Sequence, residues 1–330
     1  MTVVVTGASG HIGINLVRAL VAEKRSVRAM AHHNHQVLEG LGVEIVQGDI
    51  TDVASLSSAF EGAEVVYHLA GVISLLKNEW PLVERINVQG TRNVIEACRR
   101  SNVKRLVHFS SIHAINPEPL DRPVDENHPL IAGRGYPPYD LSKAEAQREV
   151  RKAVADGLDA VIVNPTGVFG PYDYQPSFFG TALLTIANGQ IPALIDGGFD
   201  WVDARDVAQG AMAAEQKAPT GAEYLLSGHW VSMQGIGDIM KEVSDASIPG
   251  FICPMPAARF AAPFATVYSR MFKKRPIFTS VSLNALRSNR NISHEKATRE
   301  LGYQARPFKE TLTDTMKWFE QNGNLKCRLK

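Results

Sequence analysis

The chain has 330 residues, 45% of them hydrophobic and 21% charged, with 35 Lys+Arg against 34 Asp+Glu and a formal net charge of +1. That balance fits one large α/β domain with an elaboration, and no basic excess announces a nucleic-acid partner. Cys98, Cys253 and Cys327 lie far apart with no Cys-x-x-Cys or Cys/His ligand spacing. This speaks against a disulfide framework or a metal site, and it fits a reducing cytoplasm.

Thr2–Thr6 (TVVVT) has the β-branched run of a strand buried on both faces, and Gly7 ends it. Ile12, Leu16, Val17 and Leu20 then recur at helical spacing. Segments 26–31 and 43–47 read as the second and third strands, 53–60 as a helix and 63–69 as a fourth strand. A long amphipathic helix is expected over 80–100, a fifth strand over 105–109, a charged helix over 139–156 and a sixth strand over 158–163. The alternation predicts right-handed βαβ units and a doubly wound parallel sheet of Rossmann type. After Pro165 the rhythm becomes irregular, and 201–215 reads as helical. We expect a dinucleotide-binding domain over 1–166 and 199–226. A smaller, discontinuous substrate lobe takes 167–198 and 227–330, over the sheet's C-terminal edge. Prolines 249, 254, 256 and 263, with Arg259, break the apolar stretch 248–269, so neither stable membrane insertion nor a signal peptide before the first strand is expected.

Gly7, Gly10 and Gly13 are spaced Gly-x-x-Gly-x-x-Gly between the first strand and helix. There they can make a tight turn, admit a pyrophosphate and let strand and helix pack closely, with Ser9, His11 and Ile12 completing the phosphate loop. Asp49, after the third strand, can accept from an adenine amino group, or it can cap the next segment. The second strand ends in Ala31-His32-His33-Asn34, with no acid before Glu39. NAD wants a carboxylate at that point for its ribose hydroxyls, so the sequence favours NADP, with His32, His33 and Arg28 as partners for a 2′-phosphate.

Tyr139 and Lys143, at i and i+4, face the same way on a helix. The expectation is that the ammonium lowers the phenol's pKa, so that Tyr139 exchanges a proton with a substrate oxygen near neutral pH. Ser111, at the fifth strand's end, would hold that oxygen. Asn87 would hold a water or backbone group in a proton relay. His113 is a candidate for the substrate site, whereas His68 and His108 read as structural.

These pieces, TGASGHIG (6–13), GDI (48–50), HLAG (68–71), NVQGT (87–91), FSSIH (109–113), YDLSK (139–143) and NPTGVFGP (164–171), resemble the extended short-chain dehydrogenase/reductase family. The resemblance covers about the first half of the chain. It implies Ile50 with Asp49 in an adenine pocket and Leu69, Ala70, Gly71 and Ser110 beside the cofactor. It also implies Pro165 against the nicotinamide and Ser111, Tyr139 and Lys143 as the catalytic trio. The chain looks most like the dihydroflavonol reductase and 3β-hydroxysteroid dehydrogenase branch, through NPTGVFGPYDYQPS (164–177), WVDARDVAQG (201–210) and ISHEKATRELGY (292–303). The implied activity is hydride transfer between NADP or NAD and an apolar ketone, aldehyde or secondary alcohol. The alternatives are a nucleotide-sugar epimerase or dehydratase, and a non-catalytic NAD(P)-sensing module. Helices 80–100 and 139–156 would form a homodimer seam. In the lobe, Phe178, Phe179, Phe251, Phe260, Phe264, Tyr268 and Phe272 offer aromatic surface for a substrate. Arg270, Lys273, Lys274 and Arg275 make a basic cluster beyond it.

Overall fold

The computed structural model describes residues 2–32, 35–74, 76, 78–133, 135–271 and 279–330, with backbone alone for 266–271. Seven strands form one sheet: β1 (Thr2–Thr6), β2 (Ser26–Ala31), β3 (Glu44–Gln47), β4 (Val65–His68), β5 (Arg105–Phe109), β6 (Ala160–Pro165) and, further on in the chain, Glu223–Leu226. Between β6 and that seventh strand come β7 (Gly167–Phe169), β8 (Leu194–Ile195) and β9 (Gly198–Asp203), which makes Glu223–Leu226 β10. The sheet order is β10-β6-β5-β4-β1-β2-β3, with every neighbour parallel. This is the doubly wound α/β arrangement expected from the sequence.

The strands are apolar throughout because both faces are covered. Val3, Val5, Tyr67, Val107, Phe109, Val161 and Val163 point into a core shared with helices His11–Ala22 and Ala204–Lys217. Val4, Val66, Leu106 and Ile162 point the other way, into a core shared with helices Val53–Phe60, Gly90–Arg100 and Pro138–Ala155. Period-two alternation thus feeds two hydrophobic layers. Cys98 sits in the second layer, and burial pushes its thiol up.

The helix expected over 80–100 is continuous but not uniform. Trp80–Val83 is an α-turn, Glu84–Gln89 is π-helical, and Gly90–Arg100 returns to α. Such π turns often lie at functional sites, and this one carries Asn87.

A second correction concerns 201–215. Trp201, Val202 and Asp203 are strand, not helix: β9 pairs with β7 in parallel and antiparallel with β11 (His229–Ser232). The helix starts at Ala204, and the reason is the Asp203 side chain, which caps it by accepting from the backbone N–H of Arg205 at 2.7 Å. β8 pairs with β12 (Ile252–Cys253). Phe169, Phe199, Trp201, Ile236, Met240, Phe308, Leu312 and Met316 form a further core, apart from the two layers on the sheet.

Asp203 also ties the lobe to the sheet domain. It is almost fully buried and receives the Arg205 guanidinium at 2.7 Å, with Arg306 at 3.6 Å. Arg205 continues to Asp314 at 2.8 Å and Arg306 to Asp206 at 2.7 Å. Removing Asp203 strips its helix of the cap and both guanidiniums of a shared acceptor, although Asp314 and Asp206 still pair with them. Asp203→Ala is therefore expected to cost about 1–2 kcal/mol, the usual worth of a lost cap, measured as a lower urea midpoint; an unchanged midpoint would contradict this account of the network.

Candidate active site

The C-terminal ends of β1, β4, β5 and β6 open onto one cavity of about 910 Å³. It is the crevice in which ligands of doubly wound sheets bind. Its floor starts with the glycine loop. Gly7 has φ +69°, and a Cβ there would lie 2.8 Å from the Ala70 nitrogen; one at Gly13 would lie 2.2 Å from the Gly7 oxygen. These positions admit glycine because backbone meets backbone. Gly10 precedes the helix, whose N-terminus no side chain caps, and Gly10, His11, Ile12 and Gly13 line the cavity. First-turn N–H groups and the positive end of a 12-residue helix thus face open space, which fits a dinucleotide's pyrophosphate.

The structure brings Gly7, Gly10, His11, Ile12, Gly13, Leu69, Gly71, Asn87, Ser110, Ser111, Tyr139, Lys143 and Pro165 onto this one wall. Ser9, Ala70, His32, Asp49 and Ile50 lie off it. Ile50 is buried against Val94 and Ile95, and a Cβ on Gly90 would touch it. Asp49 turns its carboxylate back to the Thr51 backbone N–H at 2.8 Å, which holds it below the usual carboxylate range despite an opposing desolvation. Its other oxygen lies 3.8 Å from His32 Nε2. His33 falls outside the described residues.

The proton-transfer candidates are held from several elements. Pro138 starts its helix at N1, a position that tolerates the missing N–H, so Tyr139 and Lys143 sit in the first two turns. Lys143 Nζ donates to the Phe109 carbonyl at 2.7 Å, and burial pulls its ammonium down to about 8. Tyr139 departs from expectation. Burial pushes its phenol up to about 12, Asp140 adds to that, and a hydrogen bond with Ser111 offsets only part. Desolvation, and not the tuning expected of Lys143, sets the direction; the Lys143 ammonium is committed to the strand end. At neutral pH this phenol is a proton donor.

Asn87 clamps backbone: it accepts from Val72 N–H at 2.8 Å and donates to the Val72 carbonyl and to Ser142 Oγ, each at 2.9 Å. Ser142 Oγ in turn donates to the Tyr139 carbonyl at 2.7 Å. The Ser110 hydroxyl donates to Gln147 Oε1 at 2.6 Å. His68 is buried between Thr6 and Thr91 hydroxyls at 2.9 and 3.1 Å, and burial lowers it to about 3. His108 is held neutral by burial, helped by His68 and Lys143.

Three features escaped the sequence reading. His11 turns its ring away from the phosphate loop, and Nε2 donates to the Gly170 and Pro171 carbonyls, both at 3.1 Å. Asp140 Oδ1 lies 3.4 Å from His113 Nδ1; an acid beside the tyrosine and a histidine two residues after the serine were the available signal. Phe199 and Trp201 join Phe178 and Phe179 on the apolar side of the cavity. By contrast, Phe251, Phe260 and Phe264 are 64%, 76% and 67% exposed and face outward. The side chains of Tyr268 and Arg270, and residues Phe272, Lys273, Lys274 and Arg275, lie outside the described residues. Among the described residues no metal-ligand cluster occurs, and no helix is long and apolar enough to cross a membrane.

The chain is 33% identical over 329 residues to sterol demethylase protein B of Methylococcus capsulatus, spanning 98% of this chain and 99% of that one. It is 30% identical over 326 residues to the 4-hydroxy-2-methyl-3-oxo-4-farnesyl-3,4-dihydroquinoline-1-oxide ketoreductase of Stigmatella aurantiaca, spanning 93% and 92% of the two chains. The crystal structure of gox2253 superposes with a TM-score of 0.86 at 28% identity, over 98% of this chain and 99% of that one. The NAD dependent epimerase/dehydratase family model matches residues 3–226. The chain is therefore an oxidoreductase of the NAD dependent epimerase/dehydratase family, within the extended short-chain dehydrogenases/reductases.

Proposed function

We propose that the chain interconverts an apolar ketone or aldehyde and its alcohol, with NADP as the preferred cofactor. The reading rests on one observation: Ser111, Tyr139 and Lys143 converge beside the glycine loop, on a cavity whose far half is walled by Phe178, Phe179, Phe199, Trp201, Leu194 and Leu286. When bound, the cofactor supplies or accepts the hydride. Ser111 and Tyr139 hold the substrate oxygen. In reduction Tyr139 Oη gives that oxygen its proton, and the resulting phenolate is balanced by the Lys143 ammonium. Asn87 acts as a positioning residue, since it fixes the Val72 backbone and the Tyr139 turn. A protonated phenol suits the reductive direction.

An epimerase acting on a diphosphate sugar would want arginine near the phosphates. Among the described residues lining the cavity there is none. For cofactor choice, no carboxylate follows β2 in sequence before Glu39, and Asp49, 3.8 Å from His32, is a nearby acid that would oppose a 2′-phosphate. One oxygen of Asp49 is anchored in its own turn by Thr51, and His32 is the partner proposed for the 2′-phosphate.

Tyr139→Phe should lower kcat by about 10²–10⁴-fold, the usual worth of a general acid, while cofactor affinity is retained; near-normal turnover would refute the role of the phenol. Reduction should weaken as pH rises through about 8, where Lys143 loses its proton, and a kcat/KM profile flat to pH 10 would contradict this. In a thermal-shift titration NADP should raise the melting temperature more than NAD at equal concentration, since preferential binding to the native state stabilises it. The reverse order would assign the site to NAD.

A further inference from the structure

His113 sits on the cavity wall beside the proton-transfer groups, and hydride transfer does not need it. The other titratable side chains on that wall outside the proposed trio are engaged elsewhere. His11 bonds the carbonyls of Gly170 and Pro171, Asp173 accepts from the Ser177 N–H, and Glu79 accepts from Ser74. His113 is positioned from two sides. Its ring stacks on Phe199 of the lobe at 6.0 Å and 22°, and it stands edge-on to Tyr139 at 5.8 Å and 65°. Nδ1 faces Asp140 at 3.4 Å, and the side chain stays 29% exposed. Among the described residues no protein group meets Nε2, so that edge of the ring is open to the cavity.

The spacing then limits what could touch both groups. With ring centres 5.8 Å apart, one small substrate can reach the polar edges of both rings. Two oxygens in a 1,3 relation on a carbon chain are roughly 3–5 Å apart by standard bond lengths. Resting on the reductase reading above, we propose that His113, held by Asp140, is the second polar anchor of the substrate. Its Nε2–H binds an oxygen β to the reacting carbonyl, so the preferred substrates are 1,3-dioxygenated. The donor form is favoured because Asp140 outweighs the opposing effect of burial and raises the imidazole. Asp140 and Tyr139 face the ring from the Pro138–Ala155 helix and Ser111 from its own turn; Phe199 brings no charge from the lobe. Once deprotonated with Nδ1–H towards Asp140, the ring presents a lone pair at Nε2 and repels a carbonyl oxygen.

The test compares methyl 3-oxodecanoate with decan-3-one, which has the same ten-carbon chain and ketone position without the methyl ester, as the ratio of their kcat/KM values. In the wild type that ratio should fall as pH rises from 6 to 9. His113→Phe keeps the ring contacts and should lower the ratio by about tenfold or more, the worth of a hydrogen bond to a charged group, mainly through KM for the ester. Asp140→Asn should lower it in the same direction. A wild-type ratio independent of pH, or a ratio unchanged in both variants even if both activities drop, would overturn the inference and leave the reductase reading standing. Turnover of neither ketone by the wild type would overturn both.

Discussion

The bond from Lys143 to the Phe109 carbonyl is the constraint on which the site depends. A helix packed on a sheet by apolar contacts alone can slide or roll at small cost, and a roll of one residue, about 100°, would turn Tyr139 out of the cavity. A charge-assisted bond to a fixed strand end removes that freedom. Asn87 braces the same helix from the other side, through Ser142 to the Tyr139 carbonyl. Ser111 and Tyr139 can therefore meet although 28 residues of sequence separate them. The π turn that carries Asn87 serves the same end, because it re-aims one side chain without ending the helix.

The electrostatics around that bond follow from burial more than from pairing. Desolvation pulls Lys143 to about 8 and pushes Tyr139 to about 12, both towards their neutral forms. The imidazoles of His68 and His108, with ring centres 5.4 Å apart, are kept neutral by the same effect. A charged imidazole there would sit close to Lys143 in a low-dielectric layer and repel it. Neutral histidines let the lysine keep its proton at neutral pH. His113 differs because Asp140 stands against it and, despite burial, raises its imidazole beside the tyrosine.

What was legible in the sequence is what local geometry encodes. The glycine spacing at 7, 10 and 13, the i, i+4 pair at 139 and 143, and the β-branched strand runs each carry their meaning within a few residues. The parallel sheet followed from the strand–helix alternation. Long-range pairings were not legible. His11 looked like part of a phosphate loop, yet its ring closes on carbonyls about 160 residues later. The strand at 198–203 was hidden because Trp201 and Val202 fall in phase with the helix that Asp203 starts. The outward turn of Phe260 and Phe264 was equally hidden, since an aromatic pair at i, i+4 reads alike on either face of a helix.

The same division explains why reaction type was easier to read than substrate. Hydride and proton transfer need a few polar groups in fixed relation, and here strand ends and one helix start supply them. The apolar half of the cavity is assembled from separate stretches: Phe178 and Phe179 on one helix, Leu194 and Phe199 on short strands, and Leu283 and Leu286 beyond residue 280. Each contributes apolar area, a non-directional quantity that tells little about shape until all are placed. His113 lies where the two halves meet, with Tyr139 on one side and Phe199 on the other. A polar group at that boundary can fix the register of an otherwise greasy substrate, because a buried donor left unpaired costs more than any single apolar contact returns.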